Sequence, residues 1–402
     1  MIEKMKELFI IQNQEKKEIS YIEDGNLREF YIEDKSQKRL EDNIYVGKVT
    51  DVLNGLQAAF VDIGEDKNAF LHIRDVLPKT SNVTGNKQEN LEEYKIKDYL
   101  KPGQMLLVQV KKDSNGTKGA RVSTNIQISG SYIILLPEND FITISKKVED
   151  KAEAERLKNI VKEIKQNKRI GIIIRTAAQG KSKETIENDF INVCNKLEII
   201  KKKFAYAKKQ NKPKFLQGNN TILEKLLLDL SGNLNKILVS TKEEEEEVKQ
   251  ILENIQIENK PLVQFENNIE DKYDLCSQIE KIKNRKIWLK CGGFITIDKT
   301  EALTAIDVNS GKFTGKKEFE KTVVKVNKEA SIEIAKQLRL RDIGGIIVID
   351  YIDVTEDKHR KEIMETLNEA LKQDRAKTQI VEFTKLNLLE MTRKHMFSNA
   401  EE

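Results

Sequence analysis

Two short apolar runs in the second half of the chain each end in an aspartate, and these aspartates could do chemistry. In EALTAIDVNSGKFTG the run ends at Asp307, and Asn309 follows two residues later. In GGIIVIDYIDV the run ends at Asp350. Two carboxylates and an amide oxygen make an oxygen-only donor set, which is the kind that Mg²⁺ prefers. A simpler interpretation stays open, in which each aspartate only caps a strand or a turn.

The segment between the two runs explains how the aspartates could meet. It predicts a long amphipathic helix, because its apolar residues recur at spacings of three and four: Val323, Val326, Ala330, Ile334 and Leu338. A strand, a helix and a second strand form a βαβ unit with parallel strands, whose carboxyl ends lie at one edge of the sheet. Neighbouring strands are about 4.8 Å apart. The sequence therefore predicts that Asp307 and Asp350 can share one divalent cation at this edge, where ligands of open α/β sheets gather.

Composition narrows the remaining classes of function. The 402 residues carry 70 Lys and Arg against 66 Asp and Glu, so an anionic partner would need a local basic patch. The three cysteines are far apart, which excludes a zinc ribbon and a disulfide framework. The three histidines lack spaced partners, and we interpret them as ordinary surface or packing residues. We expect a cytoplasmic protein, since the sequence shows neither a signal peptide nor a membrane-spanning segment.

The first half of the chain predicts several modules. KEISYIEDGNLREFYIE alternates polar and apolar residues around Asp24-Gly25, which indicates a β-hairpin. From Ile44 onward, five short strands with glycine-containing turns suggest a small closed barrel of the OB type. Near Asp150 a helix–strand–helix rhythm begins, which predicts an α/β module. The polar stretch KKQNKPKFLQGNN is typical of a boundary.

A possible nucleotide-binding loop can be rejected. The string IIIRTAAQGKS ends in Gly180-Lys181-Ser182, as a P-loop does, but a P-loop also needs a glycine five residues before Gly180. Arg175 occupies that position, so the sequence excludes an NTP site of this type.

Several long motifs together resemble the ribonuclease E/G family, endoribonucleases that cut single-stranded RNA. TEALTAIDVNSGKFTG and LRLRDIGGIIVIDYIDV resemble its catalytic signature, and VGKVTDVLNGLQAAFVDIG, NAFLHI, GARVSTNIQISGSY and IIIRTAAQGKS resemble further segments in the same order. The resemblance covers nearly the whole chain. It implies an endoribonuclease of RNA processing and decay that leaves 5′-phosphate and 3′-hydroxyl ends. It further implies that Asp307 and Asp350 hold one catalytic Mg²⁺ and that Asn309 orients the ligands.

The resemblance also implies an order of modules. An RNase H-like fold would be discontinuous, with an OB-type barrel and a 5′-sensor α/β module inserted into it, and a deoxyribonuclease-like α/β catalytic domain would follow. The expected boundaries are 1–38 with 218–282 for the RNase H-like domain, 39–124 for the barrel, 125–217 for the sensor and 283–402 for the catalytic domain.

The barrel carries candidate RNA-binding residues. From the pattern alone, Phe60 and Phe70 could lie in the barrel core or face outward. The resemblance favours outward rings that stack on bases, each worth roughly 1–3 kcal/mol. It also places Lys118 where it would meet the phosphate backbone, with Arg121 behind it.

A 5′-end sensor is implied by the resemblance. The residues assigned to the 5′-monophosphate are Arg175, Thr176, Gly130, Ile134 and Lys377. A guanidinium binds a terminal phosphate by paired charge-assisted hydrogen bonds, and a hydroxyl supplies one more donor. Lys377 stands where an arginine is common, so that contact would lose its bidentate geometry. The alternative is structural: Arg175 ends a buried strand and pairs with a neighbouring carboxylate such as Glu184.

The sequence departs from the family pattern in the residues that would bind zinc. Family members typically continue past LLEMTRK into a Cys-x-x-Cys pair that shares zinc between two subunits, and the sequence in hand reaches Glu402 without such a pair. No zinc is predicted, and a zinc-linked homodimer is in doubt, although a homodimer remains possible. The alternative function is a non-catalytic RNA-binding or scaffold protein that uses the barrel. The complete set of Asp307, Asn309 and Asp350 favours the enzyme.

Overall fold

The computed structural model describes most of the chain, in two compact units. The described residues are 5–34, 39–77, 94–114, 118–218, 221–230, 233–255, 259–311 and 319–397. The first unit comprises Met1–Lys35, Leu234–Val248 and Pro261–Phe397, and the second comprises Ser36–Asn233, Lys249–Lys260 and Ser398–Glu402. Among the described residues, no helix combines the length and the apolar character needed to cross a membrane.

Both units contain β-sheets. Within the described ranges the strands are β1 (Lys6–Asn13), β2 (Lys16–Glu23), β3 (Asn26–Asp34), β4 (Ile44–Leu53), β5 (Ala58–Asp62), β6 (Ala69–His72), β7 (Met105–Lys112), β8 (Arg121–Ser123), β9 (Ile128–Ser129), β10 (Ile133–Leu136), β11 (Ile142–Ile144), β12 (Gly171–Ile174), β13 (Lys214–Gln217), β14 (Lys236–Val239), β15 (Leu262–Phe265), β16 (Lys286–Trp288), β17 (Phe294–Lys299), β18 (Leu303–Asn309), β19 (Gly345–Asp350), β20 (Thr378–Phe383) and β21 (Leu388–Arg393).

Helices connect and cover these strands. The α-helices of the described ranges are α1 (Ile96–Tyr99), α2 (Lys151–Lys165), α3 (Lys183–Gln210), α4 (Ile222–Asp229), α5 (Lys242–Ile255), α6 (Leu275–Ile282), α7 (Phe319–Leu340) and α8 (Asp357–Leu371). Short 3₁₀ turns occur at Asn54–Leu56, Ile73–Asp75, Thr176–Ala178 and Ile269–Asp274.

The first unit contains an N-terminal sheet built from two distant parts of the sequence. Its strand order is β15-β14-β1-β2-β3, with β14 parallel to β1 and with β1, β2 and β3 antiparallel. The predicted hairpin is confirmed: β2 and β3 are joined at Asp24-Gly25, both of which have positive φ. Positive φ at both central residues gives a two-residue turn the twist that suits a hairpin.

The C-terminal sheet of the first unit carries the paired aspartates. Its order is β16-β17-β18-β19-β21-β20, and β18 and β19 are parallel strands joined through α7, as predicted. The predicted apolar stripe of α7 is buried in the core of this sheet: Val323, Val326, Ala330, Ile334 and Leu338. The α8 helix contributes to the same core. The face of the sheet opposite this core is called the open face below.

The second unit contains a closed barrel and a smaller α/β sheet. The strands β4, β5, β6, β8 and β7 follow one another in the barrel, and β7 pairs with β4 to close it. A closed five-stranded barrel fits the predicted OB type. The smaller sheet has the order β11-β12-β10-β9 and packs with α2 and α3. The fold is therefore mixed α/β with a barrel, while the RNase H-like and deoxyribonuclease-like assignments and the four module boundaries stay predictions.

Candidate functional site

Asp307 and Asp350 are cross-strand neighbours on β18 and β19. They are paired in the parallel register, so their backbones are about one strand spacing, 4.8 Å, apart. The residues before them, Ile306 and Ile349, are buried in the core beneath the sheet. Because side chains alternate along a strand, both carboxylates lie on the open face, where they are exposed. The structure thus brings these two residues together at the carboxyl ends of the strands.

Asn309 is bonded directly to one of the aspartates. Its Nδ2 donates a hydrogen bond of 2.7 Å to Asp307 Oδ2. The two residues lie two positions apart on β18 and therefore share the open face. The bond holds the Asp307 carboxylate in place. Because the Nδ2 of Asn309 is used in this bond, its Oδ1 is the side-chain atom that could serve as a metal ligand. The supporting role expected for Asn309 stays a prediction.

Negative charge is concentrated at this site. Partial burial raises the pKa of Asp350, and the nearby charges of Asp307 and Asp353 raise it further. Asp353 itself accepts a hydrogen bond of 2.6 Å from Asn387 Nδ2, so it is engaged away from the pair. Two neighbouring carboxylates and an amide oxygen fit a hard divalent cation, whose charge would offset their mutual repulsion.

A second group of possible metal ligands occurs among the described residues, at Glu320, Glu356 and His359. Glu320 already accepts a hydrogen bond of 2.6 Å from Thr355 Oγ1, and its Oε1 lies 3.2 Å from His359 Nδ1. The Thr355 bond, followed by His359, lowers the pKa of Glu320. We interpret the group as a polar link between the start of α7 and α8. Sequence reasoning treated His359 as an ordinary surface or packing residue and missed this contact.

Phe60 and Phe70 face outward from the barrel. They are direct partners in the β5–β6 pair, and their ring centroids are 6.2 Å apart at an interplanar angle of 69°. The inward positions beside them are fully buried: Ala59, Val61, Ala69 and Leu71. The His72 ring continues the aromatic surface, 6.5 Å from that of Phe70. The structure therefore excludes the core interpretation of these two rings, and it adds His72, which sequence reasoning did not single out.

Lys118 belongs to the segment that leads into β8, the strand beside β6. It is exposed and precedes Gly119, whose backbone packs so closely on the residue before β6 that a Cβ there would lie 2.0 Å from the Asn68 carbonyl oxygen. Arg121, which is in register with Phe70, binds Asp75 with nitrogen–oxygen distances of 2.6 and 2.8 Å. Arg121 is thus paired within the protein, whereas Lys118 is presented to solvent.

Arg175 and Gly130 are in direct contact in the second unit. The guanidinium Nη1 donates a hydrogen bond of 2.6 Å to the Gly130 carbonyl oxygen. Its Nη2 forms an ion pair with Asp229 at the end of α4. The side chain of Arg175 is 17% exposed. The structural alternative named the wrong carboxylate, because Asp229 rather than Glu184 pairs with this arginine.

The loop at Gly130 is held by a buried carboxylate. Asp189 of α3 accepts hydrogen bonds of 2.8 to 3.1 Å from three successive backbone N–H groups, those of Ser131, Tyr132 and Ile133. Burial raises the pKa of Asp189 against the effect of these bonds. A Cβ at Gly130 would lie 2.5 Å from the Asp189 carboxylate, so only glycine fits there. Sequence reasoning missed Asp189, because no local motif connects it to a loop so far along the chain.

The other predicted sensor residues, Thr176, Ile134 and Lys377, differ in their contacts and exposure. Thr176 Oγ1 donates a hydrogen bond of 2.9 Å to Ser145 Oγ, and Ile134 is half-buried on β10. Lys377 belongs to the first unit, whereas the other four residues belong to the second. It is exposed in the turn before β20 and lines an open cavity of about 400 Å³ together with Lys394.

Comparison with known proteins gives a consistent result. The model of the ribonuclease E/G family matches residues 127–396 of this chain. Ribonuclease G of Salmonella typhimurium is 38% identical over 388 residues, which cover 95% of this chain and 78% of the relative. Ribonuclease G of Haemophilus influenzae is 38% identical over 382 residues, covering 94% and 77%. Ribonuclease E of Nostoc is 35% identical over 365 residues, covering 89% of this chain and 51% of the relative.

Proposed function

Because the chain belongs to the ribonuclease E/G family and is an endoribonuclease of that type, we propose that it hydrolyses single-stranded RNA with Mg²⁺ held by Asp307 and Asp350. The family is one of metal-dependent nucleases. The observation that supports the proposed site is the register pair of Asp307 and Asp350, with Asn309 bonded to Asp307. The products would carry 5′-phosphate and 3′-hydroxyl ends.

Each residue of the site has a separate role in this proposal. When bound there, a divalent cation supplies Lewis acidity and positive charge at the scissile phosphate. Asp307 and Asp350 hold it with carboxylate oxygens on adjacent strands. Asn309 restrains the rotation of the Asp307 carboxylate, because the hydrogen bond that its Nδ2 donates would have to break first. The carboxylates lie on an exposed sheet face, which an extended single strand could reach.

The barrel supplies the main RNA contacts in this proposal. Phe60 and Phe70 offer half-buried rings on the outer face, where base stacking is worth about 1–3 kcal/mol for each base. Lys118, which is exposed just before β8, would add a cation for the phosphate backbone. Because the net charge is only +4, such local contacts rather than the overall charge must bind the RNA.

The loop at Gly130 is the proposed site for a 5′-monophosphate. Arg175 would bind the phosphate by charge-assisted hydrogen bonds, and Thr176 would add a hydroxyl. Ile134 would line the pocket. Since Asp229 already pairs with Arg175, the phosphate must compete with that carboxylate for the guanidinium. We therefore expect a modest preference for phosphorylated ends.

The test of the catalytic proposal uses substitutions that remove charge with little change of shape. Asp307→Asn and Asp350→Asn should each abolish cleavage of a labelled single-stranded RNA in Mg²⁺ and leave RNA binding nearly intact. EDTA should stop the unmodified enzyme in the same way. Asp357→Asn is the matched control, because this carboxylate at the start of α8 is 85% exposed and pairs with Arg360 three residues away. Cleavage at the unmodified rate by either site variant would contradict the proposed site.

A further inference from the structure

An aromatic pair and a lysine lie on the same sheet as the paired aspartates. Trp288 of β16 is in register with Phe294 of β17, and their ring centroids are 5.3 Å apart at 63°. Lys286 Nζ lies 4.2 Å from the Trp288 ring and 3.6 Å from the centroid of the Phe294 ring. Trp288 is the one tryptophan of the sequence and is 64% exposed.

Strand register places this group beside the proposed catalytic residues. Two successive cross-strand rows run over the open face: one contains Lys286, Thr296, Asp307 and Asp350, and the next contains Trp288, Phe294 and Asn309. Paired residues point to the same face of a sheet. Trp288 is therefore two strand spacings from Asn309, about 10 Å between their backbones.

The two rings are not required by the core beneath the sheet. In the described core, Ile287 and Cys291, which are close to Trp288 in the sequence, are partly buried and pack against the buried residues. Neither Trp288 nor Phe294 belongs to this core. Leaving an indole largely in water has a hydration cost, which a flat ligand on its surface would remove. The ammonium of Lys286 next to the rings favours a ligand that joins an aromatic plane to a negative charge. A nucleotide has both parts.

We propose that Trp288, Phe294 and Lys286 form a binding subsite for one nucleotide of the RNA substrate close to the scissile phosphate. The base stacks on the exposed indole, and Lys286 contacts a phosphate of the same strand. Phe294 supports the indole edge-on and keeps the lysine near it. The subsite rests on the proposed function, since it lies next to the carboxylates that would cut the strand.

The single tryptophan makes the subsite directly observable. The chain carrying both Asp307→Asn and Asp350→Asn is titrated with a short single-stranded oligoribonucleotide, while Trp288 fluorescence and the anisotropy of labelled RNA are measured. Stacking should quench the fluorescence along the same saturation curve as the anisotropy. With Trp288→Ala added, RNA binding should weaken about tenfold, and Trp288→Phe should recover part of that loss. Ile332→Ala is the control, because Ile332 is 56% exposed on α7.

Abasic substitutions in the RNA identify the nucleotide. Removing one base at a time around the cleavage site should weaken binding strongly at one position. That position should lose its effect in the chain with Trp288→Ala, because the two changes remove the same contact. An effect of equal size in both chains, or at no position, would overturn the subsite.

The remaining outcomes are distinguishable. Unchanged fluorescence and unchanged affinity of Trp288→Ala would refute the subsite, even if the unmodified enzyme cuts RNA normally. Quenching that depends on protein concentration without RNA would also refute it, because it would show a second copy of the chain on this face. Failure of the unmodified chain to cut RNA in Mg²⁺ would refute the proposed function, whatever the binding titration shows.

Discussion

The contact between Arg175 and Asp229 leads to two substitutions with opposite expected effects on 5′-end preference. Arg175→Gln removes the guanidinium that would bind a 5′-monophosphate. Asp229→Asn removes the charge that competes for the same guanidinium. We expect the first substitution to erase the difference between phosphorylated and hydroxylated substrates, and the second to increase it.

The magnitudes follow from the contacts. A charge-assisted hydrogen bond contributes about 1.5–3 kcal/mol, which corresponds to a preference of about tenfold to hundredfold. Arg175 already bonds to the Gly130 carbonyl oxygen and to Asp229, so the phosphate gains only the excess over the carboxylate that it replaces. The unmodified enzyme should therefore show a preference near tenfold, and Asp229→Asn should raise it several-fold.

The assay compares cleavage rates of one RNA with either a 5′-monophosphate or a 5′-hydroxyl. Arg175→Gln should keep the rate on the hydroxylated RNA and lose the advantage of the phosphorylated one. Arg169→Gln is the matched control. Arg169 is exposed and lies two residues before β12 begins, whereas Arg175 directly follows the end of β12. Thermal unfolding of each variant shows whether the fold is retained.

Two results would refute this reasoning. A preference that survives Arg175→Gln would show that another group binds the 5′ end. Equal losses on both RNAs in Arg175→Gln and Asp229→Asn, accompanied by lower melting temperatures, would show that the pair is only structural.

Two further predictions concern the barrel and a buried ion pair. Phe60→Ala and Phe70→Ala should each weaken RNA binding by about 1–3 kcal/mol with little change in melting temperature, since both rings face outward; a large drop in stability with unchanged affinity would contradict this. Glu29 is fully buried, which disfavours its charge, but Arg375 and Arg339 outweigh burial and lower its pKa to about 2. Because the folded-state pKa lies below the ordinary value, the stability that this carboxylate contributes, about 3 kcal/mol, should disappear between about pH 4.5 and pH 2. Chemical unfolding of Glu29→Gln should give a lower free energy of unfolding at neutral pH, and the pH step between about 4.5 and 2 should be absent.

Local patterns in the sequence were sufficient for the elements that hold the proposed site. The spacing of Val323, Val326 and Ala330 predicted α7, and the apolar runs on either side predicted two parallel strands. Together they required Asp307 and Asp350 to end at one edge. These predictions succeeded because helix and strand periodicity are properties of neighbouring residues. The division into four modules came from the resemblance and remains a prediction.

Contacts between distant segments depended on the tertiary structure. Alternation along β5 and β6 sets Phe60 and Phe70 on one face but does not say which face is inside; closure of the barrel decided that. The partner of Arg175 lies 54 residues away, and no spacing pointed to Asp229. The position of Trp288 in the same cross-strand row as Asn309 follows from the register of three strands. Register is set by how whole strands pair and bury one face, so a sequence pattern identifies the strands while packing selects their neighbours.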